Sequence, residues 1–129
     1  MRDAGPGACR PDLAGLTVLV VEDEAIVSFM VEDMLKECGI AVVLHASRLA
    51  EAYAILQDRR PDAAVLDVNL SGELAYPLAE RLEADGIPFV FATGYGLDGI
   101  PPQWRARPVI QKPFQTARLA AALGLVLAR

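Results

Sequence analysis

Five polar side chains stand directly after short apolar runs, and their types suit the transfer of a phosphoryl group. They are Glu22 and Asp23 after T-V-L-V-V, Asp67 ending A-A-V-L-D, Thr93 ending F-V-F-A-T, and Lys112 after V-I-Q. Three carboxylates in one crevice repel each other unless a cation lies between them, and Mg²⁺ accepts one or two carboxylates together with phosphate oxygens. A carboxylate can also attack phosphorus to give an aspartyl phosphate. A lysine charge and a hydroxyl donor would supply the positioning and neutralisation that this chemistry needs.

Predicted strands and helices alternate along the chain and place these side chains at one edge. The strands are predicted at residues 17–21, 41–44, 63–67, 88–92 and 109–111, and the helices at 25–38, 48–59, 74–85 and 116–127. Ser47 is expected to cap the second helix, and Pro77 to lie in the first turn of the third. The alternation predicts an α/β fold with a mainly parallel sheet. In such sheets ligands bind beyond the carboxyl ends of the strands, where all five side chains would lie.

The connection between the fourth and fifth predicted strands breaks this alternation. Residues 94–108 contain three glycines and three prolines. In a helix interior each glycine costs about 1 kcal/mol and each proline about 3 kcal/mol. We therefore predict at most one short helical turn here, and we expect Trp104 to fill a hydrophobic edge rather than bind a ligand.

Length and composition fit one globular domain. The chain has 129 residues, is 53% hydrophobic and carries a net charge of -5, which argues against binding to nucleic acid phosphates. Residues 1–14 are predicted to be a loose lead-in, followed by one domain over residues 15–129. Cys9 and Cys38 form neither a disulfide framework nor a zinc site, and Cys38 is expected to be buried. With no signal peptide or membrane span in the sequence, we expect a soluble cytoplasmic protein and no membrane partner.

Four motifs carry a resemblance to a known family. They are V-V-E-D-E at 20–24, V-L-D-V-N at 65–69, A-T-G at 92–94 and Q-K-P-F at 111–114. In this order and at these spacings they resemble the CheY-like receiver domain of two-component response regulators. The resemblance implies a flavodoxin-like (βα)5 fold, a doubly wound parallel sheet with strand order 2-1-3-4-5. It also implies a signalling phosphoprotein that acts in signal transduction or a phosphorelay, not a turnover enzyme.

The resemblance implies a role for each acidic residue. Asp67 would be the phosphoacceptor, taking its phosphoryl group from a sensor histidine kinase or a phosphotransfer protein. The cofactor would be Mg²⁺, bound by Asp67 and Asp23 directly, by Glu22 more through water, and by the backbone carbonyl of Asn69.

The remaining motif residues would respond to the phosphoryl group. Lys112 would pair with the Asp67 carboxylate and then with the phosphoryl oxygens, and a cis bond before Pro113 would aim that lysine. Thr93 would move toward the phosphoryl group and form a hydrogen bond to it.

A narrower likeness lies in P-F-V-F-A-T-G-Y-G, followed by V-I-Q-K-P-F. This sequence resembles the FAT-GUY subgroup of single-domain regulators, which are often paired with kinases of the HWE type. The subgroup has an altered or flexible fourth-helix region, in agreement with the composition of residues 94–108.

One position departs from the receiver pattern. Typical receivers carry an aromatic switch residue three positions before the lysine, where this chain has Val109. Tyr95, two residues after Thr93, is the expected substitute.

Helix one carries more apolar residues than one stripe needs, so part of it either docks a partner such as the kinase or lies under the N-terminal tail.

Three other functions remain open at this point. A phosphohydrolase of the haloacid-dehalogenase type also uses an aspartate nucleophile, but it carries a second aspartate where this chain has Asn69. A nucleotide-binding domain would need a glycine-rich first turn instead of V-E-D-E-A. A pseudo-receiver would bind partners without being phosphorylated, and the sequence alone does not exclude it.

Overall fold

A computed structural model describes residues 13–94 and 99–128 of the chain. Its strands are β1 Thr17–Val21, β2 Val42–Ala46, β3 Ala63–Asp67, β4 Asn69–Leu70, β5 Glu73–Leu74, β6 Phe89–Thr93 and β7 Val109–Gln111. Five of them form a parallel sheet in the order β2-β1-β3-β6-β7. This is the predicted order 2-1-3-4-5, so the doubly wound, flavodoxin-like fold is confirmed.

Four α-helices in the described residues cover the two faces of this sheet. They are α1 Ala25–Glu37, α2 Leu49–Asp58, α3 Tyr76–Ala84 and α4 Thr116–Leu127. One apolar cluster packs α1 and α4 against the sheet, and a second packs α2 and α3 against its other face. Burial of the sheet on both faces explains why the central strands are almost wholly apolar.

Strands β4 and β5 form a hairpin that was not predicted. Ser71 and Gly72 link the two strands with positive φ values of 56° and 96°. A two-residue turn with positive φ at both positions matches the twist of the strands that it joins. Because the hairpin occupies residues 69–74, α3 begins at Tyr76 instead of residue 74, and Pro77 lies in its first turn as predicted.

The predicted cap of α2 was wrong. Residue Arg48 occupies the N-cap position, and no side chain caps it. Ser47 instead donates from its hydroxyl, at 2.9 Å, and from its backbone N–H, at 2.7 Å, to the carboxylate of Glu51 in the first turn of the helix.

A 3-10 turn spans Pro102–Trp104 in the described part of the connection between β6 and β7. Residues 95–98 lie outside the described residues, so the prediction of at most one helical turn over 94–108 stays a prediction. Trp104 is 5% exposed and packs against the ring of Phe91 at 5.9 Å between centroids. It therefore fills a hydrophobic edge of the sheet, as predicted.

Other predictions concern the ends of the chain and its cysteines. Cys38 is fully buried at the end of α1, as expected. Cys9 and most of the predicted lead-in lie outside the described residues, since the description begins at Leu13. Within the described residues, no helix has the length and apolar character that crossing a membrane requires.

Candidate functional site

Three carboxylates meet at the carboxyl edge of the sheet. Strands β1 and β3 are neighbours, with Val21 paired to Leu66, so the acids that follow them come together. One oxygen from each of Glu22, Asp23 and Asp67 lies within 4.8 Å of the others. The sequence therefore predicted this cluster correctly, and the adjacency of β1 and β3 is what assembles it.

Lys112 is the cation that faces two of these carboxylates. Its Nζ donates to Oε1 of Glu22 at 2.7 Å and lies 3.3 Å from Oδ1 of Asp67. Pairing with Asp67 was expected, but in this structure the lysine lies closer to Glu22. The Lys112 backbone N–H donates to the Thr93 carbonyl at 2.8 Å, which ties it to the end of β6. The Lys112–Pro113 peptide bond is cis, the geometry that the resemblance implied.

Burial and crowding change the protonation of the site. Burial of Asp67, together with the negative charge of Glu22, raises the pKa of Asp67 to about 7, although Lys112 and the Asn69 backbone N–H oppose the rise. Burial alone would lower the pKa of Lys112, but its hydrogen bond to Glu22 and the charge of Asp67 raise it overall. One lysine thus leaves the three carboxylates short of positive charge, which an added cation would supply.

Glu22 and Asp23 differ in how their oxygens are occupied. Glu22 is buried; one oxygen accepts from Lys112, and the other accepts the Glu24 backbone N–H at 3.1 Å. Asp23 is only half-buried, and its Oδ2 accepts a hydrogen bond from the Ser71 hydroxyl. That hydroxyl lowers the pKa of Asp23. Asp23 is therefore the more accessible carboxylate for a cation, and Glu22 is the one engaged by the protein.

Asp23 and Asp67 open onto a crevice of about 540 Å³, which Thr93 also lines. Its lining residues are Asp23, Glu24, Asp67, Asn69, Ser71, Gly72, Thr93, Gly94 and Lys112. Thr93 is 3% exposed at the end of β6, next to the β3 strand that carries Asp67. The Asn69 side-chain carbonyl accepts the Gly72 N–H at 2.6 Å. The carboxylates and carbonyls around this crevice are the hard oxygen ligands that Mg²⁺ prefers, so the residues fit the expected cofactor.

The structure also locates the residues that the sequence analysis missed or left open. Ser71 and Gly72 of the hairpin line the crevice, and the Ser-Gly pair between two short apolar segments was the available signal. Val109 is half-buried against the apolar cluster under α3 and provides no aromatic switch. Tyr95, the expected substitute, lies outside the described residues.

Helix α1 presents apolar side chains beside this site. Ile26, Phe29 and Met30 are 75%, 64% and 51% exposed within the described part of the chain. They lie in the first two turns of α1, just after Asp23. Large exposed apolar side chains grouped on one helix are typical of a surface that binds another protein.

The family model of the response regulator receiver domain matches residues 18–124. The chain belongs to the response regulator receiver family. These are signalling domains of two-component systems that interact with histidine kinases or phosphotransfer proteins and bind Mg²⁺ at an acidic pocket. The acidic cluster at the end of β1 and β3 is compatible with such a pocket.

Several known proteins resemble this receiver domain. The solution structure of SdrG from Sphingomonas melonis is 44% identical, with a TM-score of 0.78, over 88% of this chain and 97% of SdrG. The BeF3-activated conformation of SdrG is also 44% identical, with a TM-score of 0.77, over 88% of this chain and 98% of the other. The phosphate regulon transcriptional regulatory protein PhoB of Pseudomonas aeruginosa is 35% identical over 91% of this chain and 54% of PhoB. The response regulator PhyR from Brucella abortus is 25% identical, with a TM-score of 0.78, over 90% of this chain and 49% of PhyR.

This receiver domain thus spans about half the length of PhoB and PhyR. Family membership favours the signalling hypothesis over the phosphohydrolase and the nucleotide-binding domain. The pseudo-receiver hypothesis differs only in whether Asp67 is phosphorylated, and an experiment must decide that.

Proposed function

We propose that this receiver domain accepts a phosphoryl group on Asp67 from a histidine kinase or a phosphotransfer protein. The observation that supports this most is the contact between a buried carboxylate and a lysine, Asp67 Oδ1 and Lys112 Nζ at 3.3 Å, in a crevice with two more acids. A purely structural ion pair would need only one carboxylate for the one lysine, whereas three carboxylates lie together here. The surplus of carboxylate charge suits a site that binds a cation and then a phosphoryl group.

In the proposed transfer, a carboxylate oxygen of Asp67 attacks the phosphorus of a phosphohistidine. A new O–P bond forms, the P–N bond breaks, and its electron pair returns to the imidazole nitrogen. Asp67 must be ionised to attack, so cation binding and the Lys112 charge both favour the reactive form. Lys112 would then shift from Glu22 toward the phosphoryl oxygens, and the Thr93 hydroxyl would bind one of them.

We further propose which residues hold the cofactor. The carboxylates of Asp23 and Asp67 and the backbone carbonyl of Asn69 would bind Mg²⁺, while Glu22 would act through water because both of its oxygens already accept hydrogen bonds. When bound, Mg²⁺ supplies positive charge that neutralises the phosphoryl oxygens during transfer.

The partner surface that we propose is the exposed part of α1. Ile26, Phe29 and Met30 lie beside the crevice, where a partner carrying a phosphohistidine must approach. The likeness to SdrG, together with F-A-T-G-Y-G at 91–96, supports membership of the FAT-GUY subgroup and pairing with a kinase of the HWE type. A role as an activator and a role as a phosphate sink both fit this chemistry, and the cytoplasmic location remains a prediction.

The proposed readout is a change in the surface of residues 94–108. Thr93 lies directly before this segment, and its movement toward a phosphoryl group would pull on Gly94. Because Val109 provides no aromatic switch, Tyr95 stays our predicted substitute, and Tyr95→Ala should leave phosphorylation intact while weakening the response of this segment.

Beryllofluoride, which mimics an aspartyl phosphate, tests the proposal. With Mg²⁺, it should shift the amide NMR signals of Asp67, Thr93 and Lys112 in the wild type but not in Asp67→Asn. No shift in the wild type, or the same shift in the variant, would contradict phosphorylation and favour the pseudo-receiver. Rapid multiple turnover of a small phosphate ester would instead favour the phosphohydrolase.

A further inference from the structure

The β4–β5 hairpin brings a hydroxyl onto one of the proposed metal ligands. Ser71 lies at the tip of the hairpin, 48 positions after Asp23 in sequence, and its Oγ donates to Oδ2 of Asp23. Among the described residues, both line the same crevice. The contact joins the end of β1 to the segment that directly follows β3.

Three contacts fix the hairpin and therefore the position of this hydroxyl. Leu70, on β4, is 4% exposed and belongs to the core, which anchors one strand. The Asn69 side chain accepts the Gly72 N–H at 2.6 Å across the turn. The Glu73 carboxylate accepts the backbone N–H of Leu49 at 3.0 Å, which attaches β5 to the start of α2.

The geometry assigns Ser71 the role of a positioning residue for the proposed Mg²⁺ site, an inference that rests on the proposed function. Ser71 donates to one oxygen of Asp23, Oδ2, and the carboxylate keeps further lone pairs with which to bind a cation beside Glu22 and Asp67. The hydrogen bond also fixes the side-chain rotation of Asp23, which otherwise lies half-exposed. Hydrogen bonds to ligating carboxylates orient them, and their removal typically weakens metal binding by 10- to 100-fold, roughly.

A Mg²⁺ titration of the 129-residue chain, followed by amide NMR signals, tests this role. Ser71→Ala should weaken Mg²⁺ binding about tenfold. The matched control is Thr116→Val, which removes a hydroxyl that also donates to a carboxylate, that of Glu37, and neither residue is among the lining residues of the crevice. Its affinity for Mg²⁺ should equal that of the wild type.

A second measurement separates positioning from a purely structural effect. Each protein is melted in EDTA and in one fixed, subsaturating concentration of Mg²⁺, because a ligand stabilises the folded state by an amount that depends on its dissociation constant. If Ser71 only holds the hairpin together, Ser71→Ala lowers both midpoints equally. If Ser71 positions Asp23, the stabilisation produced by Mg²⁺ at a subsaturating concentration becomes smaller.

Ser71→Gly guards against a disturbed turn, because glycine adopts positive φ without strain and also lacks the hydroxyl. A loss of Mg²⁺ affinity of threefold or more in both variants supports the inference. A smaller loss in either, or tighter binding, overturns it. If the wild type itself binds no Mg²⁺, the proposed function is wrong. If the wild type binds Mg²⁺ and both variants bind it equally well, only the role of Ser71 is wrong.

Discussion

The acidic crevice and the aromatic packing beneath the β6–β7 connection are neighbours built on different physical principles. At the crevice, one lysine faces Glu22 and Asp67, so charge remains uncompensated and the site responds to ions and protons. In the aromatic packing, Trp104 of the connection stacks on Tyr76 at 6.3 Å and meets Phe89 edge-on at 6.0 Å between ring centroids. Burial raises the pKa of the Tyr76 hydroxyl above its ordinary value, so these rings carry no charge at neutral pH. The crevice therefore has the charges that chemistry needs, whereas the aromatic region consists of closely packed rings.

Helix α3 links the two regions. It begins at Tyr76, two residues after the hairpin that reaches Asp23, and the Tyr76 hydroxyl donates to the Gly99 carbonyl at 3.4 Å. If phosphorylation shifts the hairpin, we therefore expect the start of α3 and the aromatic rings around Tyr76 to shift as well. Variants that damage one region and spare the other test whether the two are separable.

The largest expected effect on stability comes from the aromatic region. Trp104→Ala should lower the free energy of unfolding by about 3–5 kcal/mol, because it empties a large buried volume among three other rings. Urea denaturation measures this change, and Trp104→Phe should recover most of the loss. Mg²⁺ affinity should stay at the wild-type value in Trp104→Phe; a clear fall in it would show that the regions are not separable.

The next effect concerns the lysine of the crevice. Lys112→Met leaves the buried Glu22 beside an uncompensated Asp67, so without metal at pH 8 we expect a loss of about 2–3 kcal/mol. Mg²⁺ should restore part of it. The control Lys36→Met removes an exposed pair with Glu32 and should leave the unfolding midpoint unchanged. Equal unfolding midpoints for Lys112→Met and Lys36→Met would contradict the conclusion that Lys112 neutralises the buried carboxylates.

A smaller effect, of opposite sign, is expected for Asp67→Asn without metal. The folded-state pKa of Asp67 is raised from 3.8 to about 7, so the folded protein holds a proton more tightly than the unfolded chain does. Asp67 thus favours folding most below its ordinary pKa, and this contribution is lost as the pH rises through about 7. Since Asp67 is partly solvated, we expect Asp67→Asn to be more stable than the wild type by about 1–2 kcal/mol at pH 8.

Thermal melts of Asp67→Asn and the wild type across pH 4–8, in EDTA, follow this difference. It should grow with pH and shrink when Mg²⁺ is added. A difference that does not vary with pH would mean that Asp67 titrates normally and that the crevice lacks its surplus of negative charge.

The smallest expected change in stability comes from Tyr76, the first residue of the helix that links the two regions. Tyr76→Phe removes a long hydrogen bond to Gly99 but keeps the ring stacked on Trp104, so stability should change by less than about 0.5 kcal/mol. Amide shifts should be confined to the neighbourhood of Gly99. Tyr76→Leu, which removes the ring, should destabilise the protein more; equal effects would show that the stacking contributes little.

Much of the fold and of the candidate site could be predicted from the sequence because the signals are local. The apolar runs at 17–21, 63–67 and 109–111 predicted three strands with their observed bounds. Asp67 and Lys112 stand directly after or at the end of such runs, so sheet topology alone brings them together. The glycines and prolines of 94–108 predicted that no ordinary helix forms there, since their backbone preferences do not depend on neighbours, and the part of this range that the structure describes contains no α-helix.

The remaining features depend on contacts between distant segments. The Ser71 turn was missed because a two-residue hairpin beside a helix start has too few residues to show alternation. The closer pairing of Lys112 with Glu22 than with Asp67 follows from where β1 and β7 place their side chains. The role of Tyr95 lies outside the described residues and stays a prediction.

Local sequence signals were enough to predict the apolar runs of the strands, the polar residue types at their ends and the lack of an α-helix in the described part of residues 94–108. Three features follow only from the folded arrangement: the acid that Lys112 lies closest to, the carboxylate that stays accessible to a cation, and the hydroxyl that donates to that carboxylate. Backbone preferences and burial patterns depend on residues a few positions apart in sequence. The hydrogen bond from Ser71 to Asp23 joins residues 48 positions apart, so it exists only once the sheet has formed.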